Sequence, residues 1–245
     1  MGSSVAGPVF TISRGDVSRI MLKHYVATSL SPTDSRHLGL EDFEGAGIRV
    51  AERRFAAKDM IFAPGDPDDQ VYFLLEGTVR LYKIYGAYKE ATTALLTDGD
   101  IFGELSFQET SRQNAFAEAV TAARVAVVRK SVLNEVIKRR PEFALKLFSC
   151  FSERIRQSDE TIESLLDREV SARLATLLSH LGKRFGKPYG SGTVLKVRLT
   201  HQDLANMIFS TREAVSKEMS EFQRVGLIET RNHRIVVNRP LEKLS

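Results

Sequence analysis

Apolar residues recur at Phe143, Leu147, Phe151, Ile155, Ile162, Leu165 and Leu166, much of the run in four-residue steps. That is the spacing of one face of a helix. Pro141 stands where such a helix would start, a first-turn position that has no use for the N–H that proline lacks. A helix of roughly 25 residues is about 38 Å long, more than one small β domain can cover. The stripe therefore needs a partner, and the same helix of a second copy is the simplest one. The alternative is a core helix packed within its own chain. Gln157 to Thr161 interrupts the stripe with polar residues.

Ahead of this helix the texture is β. From about Ile48 to Val128, short runs rich in Val, Ile, Phe, Tyr and Thr alternate with turns. Met60–Phe62, Val71–Leu75, Val79–Tyr82 and Ala91–Leu96 are such runs, broken by Pro64-Gly65-Asp66-Pro67, Glu76-Gly77 and Asp98-Gly99-Asp100. Closely spaced short strands indicate a sandwich or barrel rather than β-α-β units. Residues 1–48 are weakly patterned and read as an N-terminal extension, with a short helix expected over Asp16–Leu30. Ser131 is expected to cap a short helix running to Arg140. After the long helix come a helix over Val170–Phe185, a loop over Gly186–Gly192 and a strand over Val194–Leu199. The expected fold class is α+β, with a sensory domain at 49–130, a helical segment at 131–168 and a C-terminal domain at 169–245.

Charge separates these parts. Residues 170–245 carry thirteen Lys/Arg against six Asp/Glu, a net +7, whereas residues 1–169 carry 22 against 25, a net −3. A small basic domain joined to a slightly acidic one suits a polyanion binder. Within it, Thr200 reads as an N-cap with Asp203 in the capping-box position. Leu204 and Ile208 would be the buried face of a first helix, and Ala205 lets a second helix approach. Thr211 would cap that helix, whose buried face is Val215, Met219 and Phe222. Two short helices with a tight connection make a helix-turn-helix. Arg212, Glu213, Ser216 and Lys217 fall on the exposed side near the second helix's start, the end that enters the major groove. Arg can bind guanine bidentately, Glu can accept from cytosine, and Lys can reach guanine or phosphate. Glu229 to Val237 reads as a two-stranded wing whose Arg231, His233 and Arg234 lie near phosphates. Thr200, Gln202, Ser210 and Thr211 complete the expected DNA-contacting set.

Other chemistry finds little support. No Ser/His/Asp set, phosphate loop or clustered metal ligands point to catalysis. The single cysteine, Cys150, sits among Leu147, Phe148 and Phe151 and reads as a buried thiol. Neither a signal peptide nor an 18-residue apolar span is present, so a cytoplasmic protein is expected.

From about Val50 to Val237 the chain resembles the cyclic-AMP receptor/FNR family of transcription regulators. The resemblance is carried by Phe62-Ala63-Pro64-Gly65-Asp66-Pro67, Glu76-Gly77-Thr78-Val79, Phe102-Gly103-Glu104-Leu105-Ser106 and Ser210 through Lys217. Within the family it is most similar to the cyanobacterial-type global nitrogen regulators, over Phe62–Ser106 and from Arg154-Ile155 through Ile162-Glu163. The resemblance implies a cyclic-nucleotide-binding-like β-roll, a long dimerisation helix and a C-terminal winged helix-turn-helix. It also implies a homodimer on a palindromic promoter site and a small effector between β-roll and long helix. A dimeric sensing subunit whose C-terminal domain binds protein is the alternative. The family also contacts RNA polymerase, for which Lys187-Pro188-Tyr189 is the candidate loop.

The resemblance implies two candidate effectors, each matched in part, with another ligand or none as the alternative. For cyclic AMP, Gly103 and Glu104 match the ribose-binding pair, and Ser158 and Asp159 stand at the base-contacting positions of the long helix. The phosphate-binding Arg-Ser pair falls on Gln113-Asn114, with Arg112 one residue early. For 2-oxoglutarate, Phe102, Gly103, Leu105 and Arg154 match, Asp159 replaces a Glu, the β-roll Arg falls on Ala115, and Glu104 replaces an apolar residue. Two departures touch DNA reading. Phe209 stands where the family turn has Gly, and Lys217 where cyclic-AMP receptors have Arg. A TGTGA-like half-site is expected, with a GTA-type site as runner-up.

Overall fold

The computed structural model describes residues 39–86, 89–103, 112–166 and 169–238. The expected helix over Asp16–Leu30 and the residues Glu104 and Leu105 lie outside them.

Eight strands form two four-stranded antiparallel sheets. They are β1 (Ala51–Phe55), β2 (Met60–Phe62), β3 (Gln70–Glu76), β4 (Val79–Tyr85), β5 (Lys89–Leu96), β6 (Ile101–Phe102), β7 (Phe116–Ala119) and β8 (Ala123–Arg129). The sheets run β1-β8-β3-β6 and β2-β7-β4-β5. The run Val71–Leu75 is apolar without alternation because β3 is covered on both faces. Tyr72 and Leu74 point between the sheets with Phe55, Phe62, Leu81, Phe102 and Val125. Val71 and Phe73 point the other way, into a helical layer containing Phe43, Leu133, Val136, Phe143 and Leu147.

That layer comprises α1 (Leu40–Glu44), α2 (Lys130–Arg139) and α3 (Pro141–Leu166). Phe43 meets Phe73 and Phe143 edge-on at 5.0 and 5.4 Å between ring centroids. Buried Asp42 pairs with Lys146 at 2.5 Å. The last part of the 1–48 extension is thus core, not appendage, because α1 closes the outer face of β3. Ser131 is not a cap: α2 starts at Lys130, with Arg129 in the N-cap position and no side-chain cap. The 26 residues of α3 span about 39 Å. Phe143 and Leu147 bury against the roll, whereas Leu145, Phe148, Ile155, Ile162 and Leu166 are exposed.

The remaining elements are α4 (Val170–Phe185), β9 (Gly186–Tyr189), β10 (Gly192–Leu195), α5 (His201–Met207), α6 (Arg212–Arg224), β11 (Ile228–Arg231) and β12 (Arg234–Val237). The expected loop at 186–192 is a hairpin, and the strand expected at 194–199 ends at Leu195. Pro188 hid it, since proline reads as a strand breaker, yet β9 is an edge strand where its missing N–H is harmless. The wing is accordingly not a two-stranded ribbon but half of a four-stranded sheet, β11-β12-β10-β9. Leu174, Leu178, Leu195, Leu204, Val215, Met219, Phe222 and Ile235 form its core with α4, α5 and α6.

Candidate functional site

The helix-turn-helix is built by its caps. The Asp203 N–H donates to Thr200 Oγ1 at 3.1 Å, and the Thr200 N–H donates back to Asp203 Oδ2 at 2.7 Å, which closes the capping box. Thr211 Oγ1 accepts from the Ala214 N–H at 3.2 Å and starts α6. Between the helices Phe209 has φ +54°, the left-handed conformation that glycine would adopt freely. Its side chain is 40% exposed, so partial packing offsets some of the steric cost.

On α6, Arg212, Glu213 and Lys217 are exposed and Ser216 is half-exposed on the same side. Thr200, Gln202 and Thr211 are exposed and Ser210 half-exposed. Gln202 Nε2 donates to Asn206 Oδ1 at 2.8 Å. At the wing tip, Asn232 and His233 both have positive φ, 49° and 60°, as a type I′ hairpin turn requires. His233 and Arg234 are exposed there. Arg231 is more constrained: its Nη1 donates to the Tyr189 hydroxyl at 3.1 Å, and its Nε pairs with Glu229 at 2.9 Å. Sequence reasoning missed His201, whose Nδ1 lies 2.8 Å from Ser216 Oγ. A histidine at the first position of α5, fifteen residues from its partner, gives no local signal of that contact.

The residues expected around an effector divide. Arg154 on α3 donates to the Ile101 carbonyl at 3.3 Å, which brings it beside Phe102 and Gly103. Ser158 Oγ donates to the Arg154 carbonyl at 3.1 Å, and Asp159 is exposed one residue on. The Phe102 ring is fully buried against Tyr72 and Phe62, at 5.2 and 6.0 Å between centroids, so only its backbone can face a ligand. Gly103 has φ +105°, and a Cβ there would lie 3.1 Å from the Tyr72 ring. Arg112 is engaged elsewhere in the roll. Its Nη1 donates to the Gly65 carbonyl at 2.6 Å, and its backbone bridges to Pro67. Gln113 is buried, with Nε2 donating to Asp68 Oδ1 at 3.3 Å, and Asp68 pairs with Lys130 at 2.6 Å. Asn114, the next residue, is exposed.

Polar contacts join the roll to the C-terminal domain. Arg184 on α4 pairs with Asp100 at the start of β6 and donates to Gln157 on α3. Burial pushes the Asp100 carboxyl above its ordinary pKa, against the opposing pull of Arg184 and of the Thr97 N–H. Asn206 on α5 donates to Glu90 on β5 at 3.5 Å, and Glu90 also pairs with Arg80 at 2.9 Å. Leu95 and Val120 of the roll pack against the C-terminal core. The roll therefore meets the rear of the helix-turn-helix and leaves the reading face of α6 open.

A sensory β-roll carried by a long helix into a winged helix-turn-helix defines a class: ligand-responsive, DNA-binding transcription regulators. Residues 52–140 match the cyclic nucleotide-binding domain family, and residues 172–244 the Crp-like helix-turn-helix domain family. The chain is 33% identical to the global nitrogen regulator of Nostoc sp. over 189 residues, 76% of this chain and 85% of the relative. It is 26% identical to a CRP-like cAMP-activated global transcriptional regulator of Mycobacterium tuberculosis, over 73% of this chain and 80% of the relative. A solved CRP/FNR-family transcriptional regulator of Thermus thermophilus superposes with a TM-score of 0.66 at 28% identity, covering 79% of this chain and 97% of that one. The chain belongs to the cyclic-AMP receptor/FNR family of transcription regulators, and the alternative of a protein-binding C-terminal domain is set aside. No helix among the described residues is long and apolar enough to cross a membrane.

Proposed function

We propose that the chain binds a palindromic promoter site as a homodimer joined along α3, under the control of an anionic effector held at Arg154. Two-fold symmetry places one α6 in each half-site, one helical turn of DNA apart. Arg212, Glu213, Ser216 and Lys217 read base edges. Thr200, Gln202, Ser210, Thr211, Arg231, His233 and Arg234 grip the backbone. The single observation that carries the DNA reading is the exposed cluster at the start of α6 with the roll docked behind it. Lys187–Tyr189 is the surface offered to RNA polymerase, and the working compartment is the cytoplasm.

For the effector, 2-oxoglutarate is better supported than cyclic AMP. Arg154 stands beside the Phe102–Gly103 backbone, where a guanidinium suits a carboxylate better than a cyclic nucleotide base. The position that would hold a cyclic phosphate, Gln113, is instead engaged with Asp68 inside the roll. Selection from a randomised duplex library, run without effector and then with each compound, tests both levels. Enrichment of a palindrome only with 2-oxoglutarate supports the reading. Enrichment only with cyclic AMP reverses the choice of effector, and no enrichment under any condition refutes DNA reading.

A further inference from the structure

A serine hydroxyl on a recognition helix is an ambiguous reader. It has one donor and two acceptor lone pairs, and it rotates to suit either kind of partner. In this protein Ser216 is not left to rotate. His201, the first residue of α5, holds Nδ1 at 2.8 Å from Ser216 Oγ, across the interface of the two helices. Both side chains are half-buried, so the contact is shielded on one side and open on the other. Arg212 lies one turn earlier on the same face of α6, and Lys217 directly follows.

We infer that His201 is a specificity-determining positioning residue: it fixes the polarity of the Ser216 hydroxyl and so decides which base that hydroxyl accepts. The inference rests on the DNA-reading proposal above. A neutral imidazole has one donor nitrogen and one acceptor nitrogen. The duplex backbone beside the start of α5 offers only acceptor oxygens, so the ring nitrogen that bonds outward must be the donor. Nε2 then carries the hydrogen and Nδ1 accepts. Ser216 spends its only proton on Nδ1 and presents lone pairs alone to the groove. Such a group accepts from the amino groups of adenine N6 or cytosine N4 and is mismatched with the keto oxygens of guanine and thymine. The pair thus acts as one reading unit, with His201 never touching the base.

The test is a randomised-duplex selection on the full-length protein, repeated without effector, with cyclic AMP and with 2-oxoglutarate. The proteins compared are wild type, H201A, S216A, the double variant and H201N, whose Oδ1 restores an acceptor near the Nδ1 position. One base pair per half-site is expected to favour adenine or cytosine by about 3- to 10-fold in the wild type, the discrimination of one neutral hydrogen bond. H201A and S216A should each flatten that position and leave the others unchanged. The double variant should do no more than either single one, and H201N should restore the preference. A merely structural His201 would lower the melting temperature or weaken all sequences alike, with the base preference intact, and that result overturns the inference. A preference for guanine or thymine at the Ser216 position overturns it too, by showing the opposite polarity. If wild type enriches a palindrome but these variants match it, only the His201 role fails. If wild type enriches nothing, the DNA reading fails and this role falls with it.

Discussion

Replacing Ile155 with Asp should convert the protein from dimer to monomer. On α3, Leu145, Phe148, Ile155, Ile162 and Leu166 are 60–79% exposed in the protomer, although each is large and apolar. With Ser152 and Asp159 they fall at alternating three- and four-residue steps, the seam of a two-helix coiled coil. Fully burying one such side chain is worth about 1.5–3 kcal/mol, so those five, about two-thirds exposed, retain about 1–2 kcal/mol each. Across two copies that amounts to roughly 10–20 kcal/mol, set against an association cost of about 4–15 kcal/mol. The margin is small enough that one pair of side chains decides it. Ile155→Asp removes two central side chains, about 2–4 kcal/mol, and sets two carboxylates one turn from the paired Asp159 side chains. The dissociation constant should rise about 30- to 1000-fold. Sedimentation velocity across a micromolar dilution series measures this, and circular dichroism should show an intact protomer because the residue is exposed there. Thr161→Asp, on the flank of the same helix, should leave the dimer intact. An unchanged dimer with Ile155→Asp would refute the seam, and an unfolded protomer would mean that the stripe packs within its own chain.

Other perturbations test other parts. Arg212→Ala should abolish sequence preference while retaining salt-dependent binding, as read by competition with non-specific duplex. Phe209→Gly should change stability by less than about 1 kcal/mol in thermal melts, because relief of φ +54° is offset by loss of a partly buried ring. Burial pushes the Cys150 thiol up to about 11, so alkylation near neutral pH should run about 100-fold slower than for an unperturbed cysteine. Because that folded-state pKa lies above the unfolded one, its stabilising contribution is complete below pH 9 and lost as pH rises from about 9 to 11. Arg184→Ala should destabilise by about 2–3 kcal/mol near neutral pH, since it leaves the Asp100 carboxylate unpaired in a site that already disfavours its charge. The sign follows from the raised Asp100 pKa: the site favours the protonated acid, so the penalty should be smallest in acid and grow as pH rises through the carboxylate range. A loss that is independent of pH would mean that Arg184 contributes through packing alone.

Much of the fold was legible because it is written in local periods. The helix over Val170–Phe185, the helix-turn-helix and both its caps followed from Thr200, Asp203 and Thr211 together with buried positions at helical spacing. The left-handed turn at Phe209 could be expected from the family turn's glycine. What failed had competing local signals. Pro188 and three glycines made a loop of what is a hairpin, since only the sheet's edge position makes proline tolerable there. The core role of Phe43 gave no signal because five residues of α1 are too few to show a period, and its partners Phe73 and Phe143 lie 30 and 100 residues away in sequence.

The site was less legible than the fold, for the same reason carried further. Which residues sit on α6 is a local matter, but what each side chain is already bonded to is not. Arg112 stands one residue early for the phosphate position, and it holds the Gly65 carbonyl, 47 residues earlier. Gln113 stands where the family's phosphate-binding Arg falls, and it is bonded to Asp68, which pairs with Lys130. Arg184 and Asn206 carry no local signal, and they make polar links to the roll, 84 and 116 residues away. These contacts share a logic. Charges left partly buried at a junction must be paired or neutralised, so Asp100 pairs with Arg184 in this arrangement. Arg154 bonds to the carbonyl of Ile101, the residue next to Asp100. An anion bound at Arg154, as proposed above, would compete with a backbone contact one residue from the ion pair that ties roll to reader. On that proposal, binding at one end and domain position at the other would be linked through adjacent residues, and linkage of that kind is reciprocal.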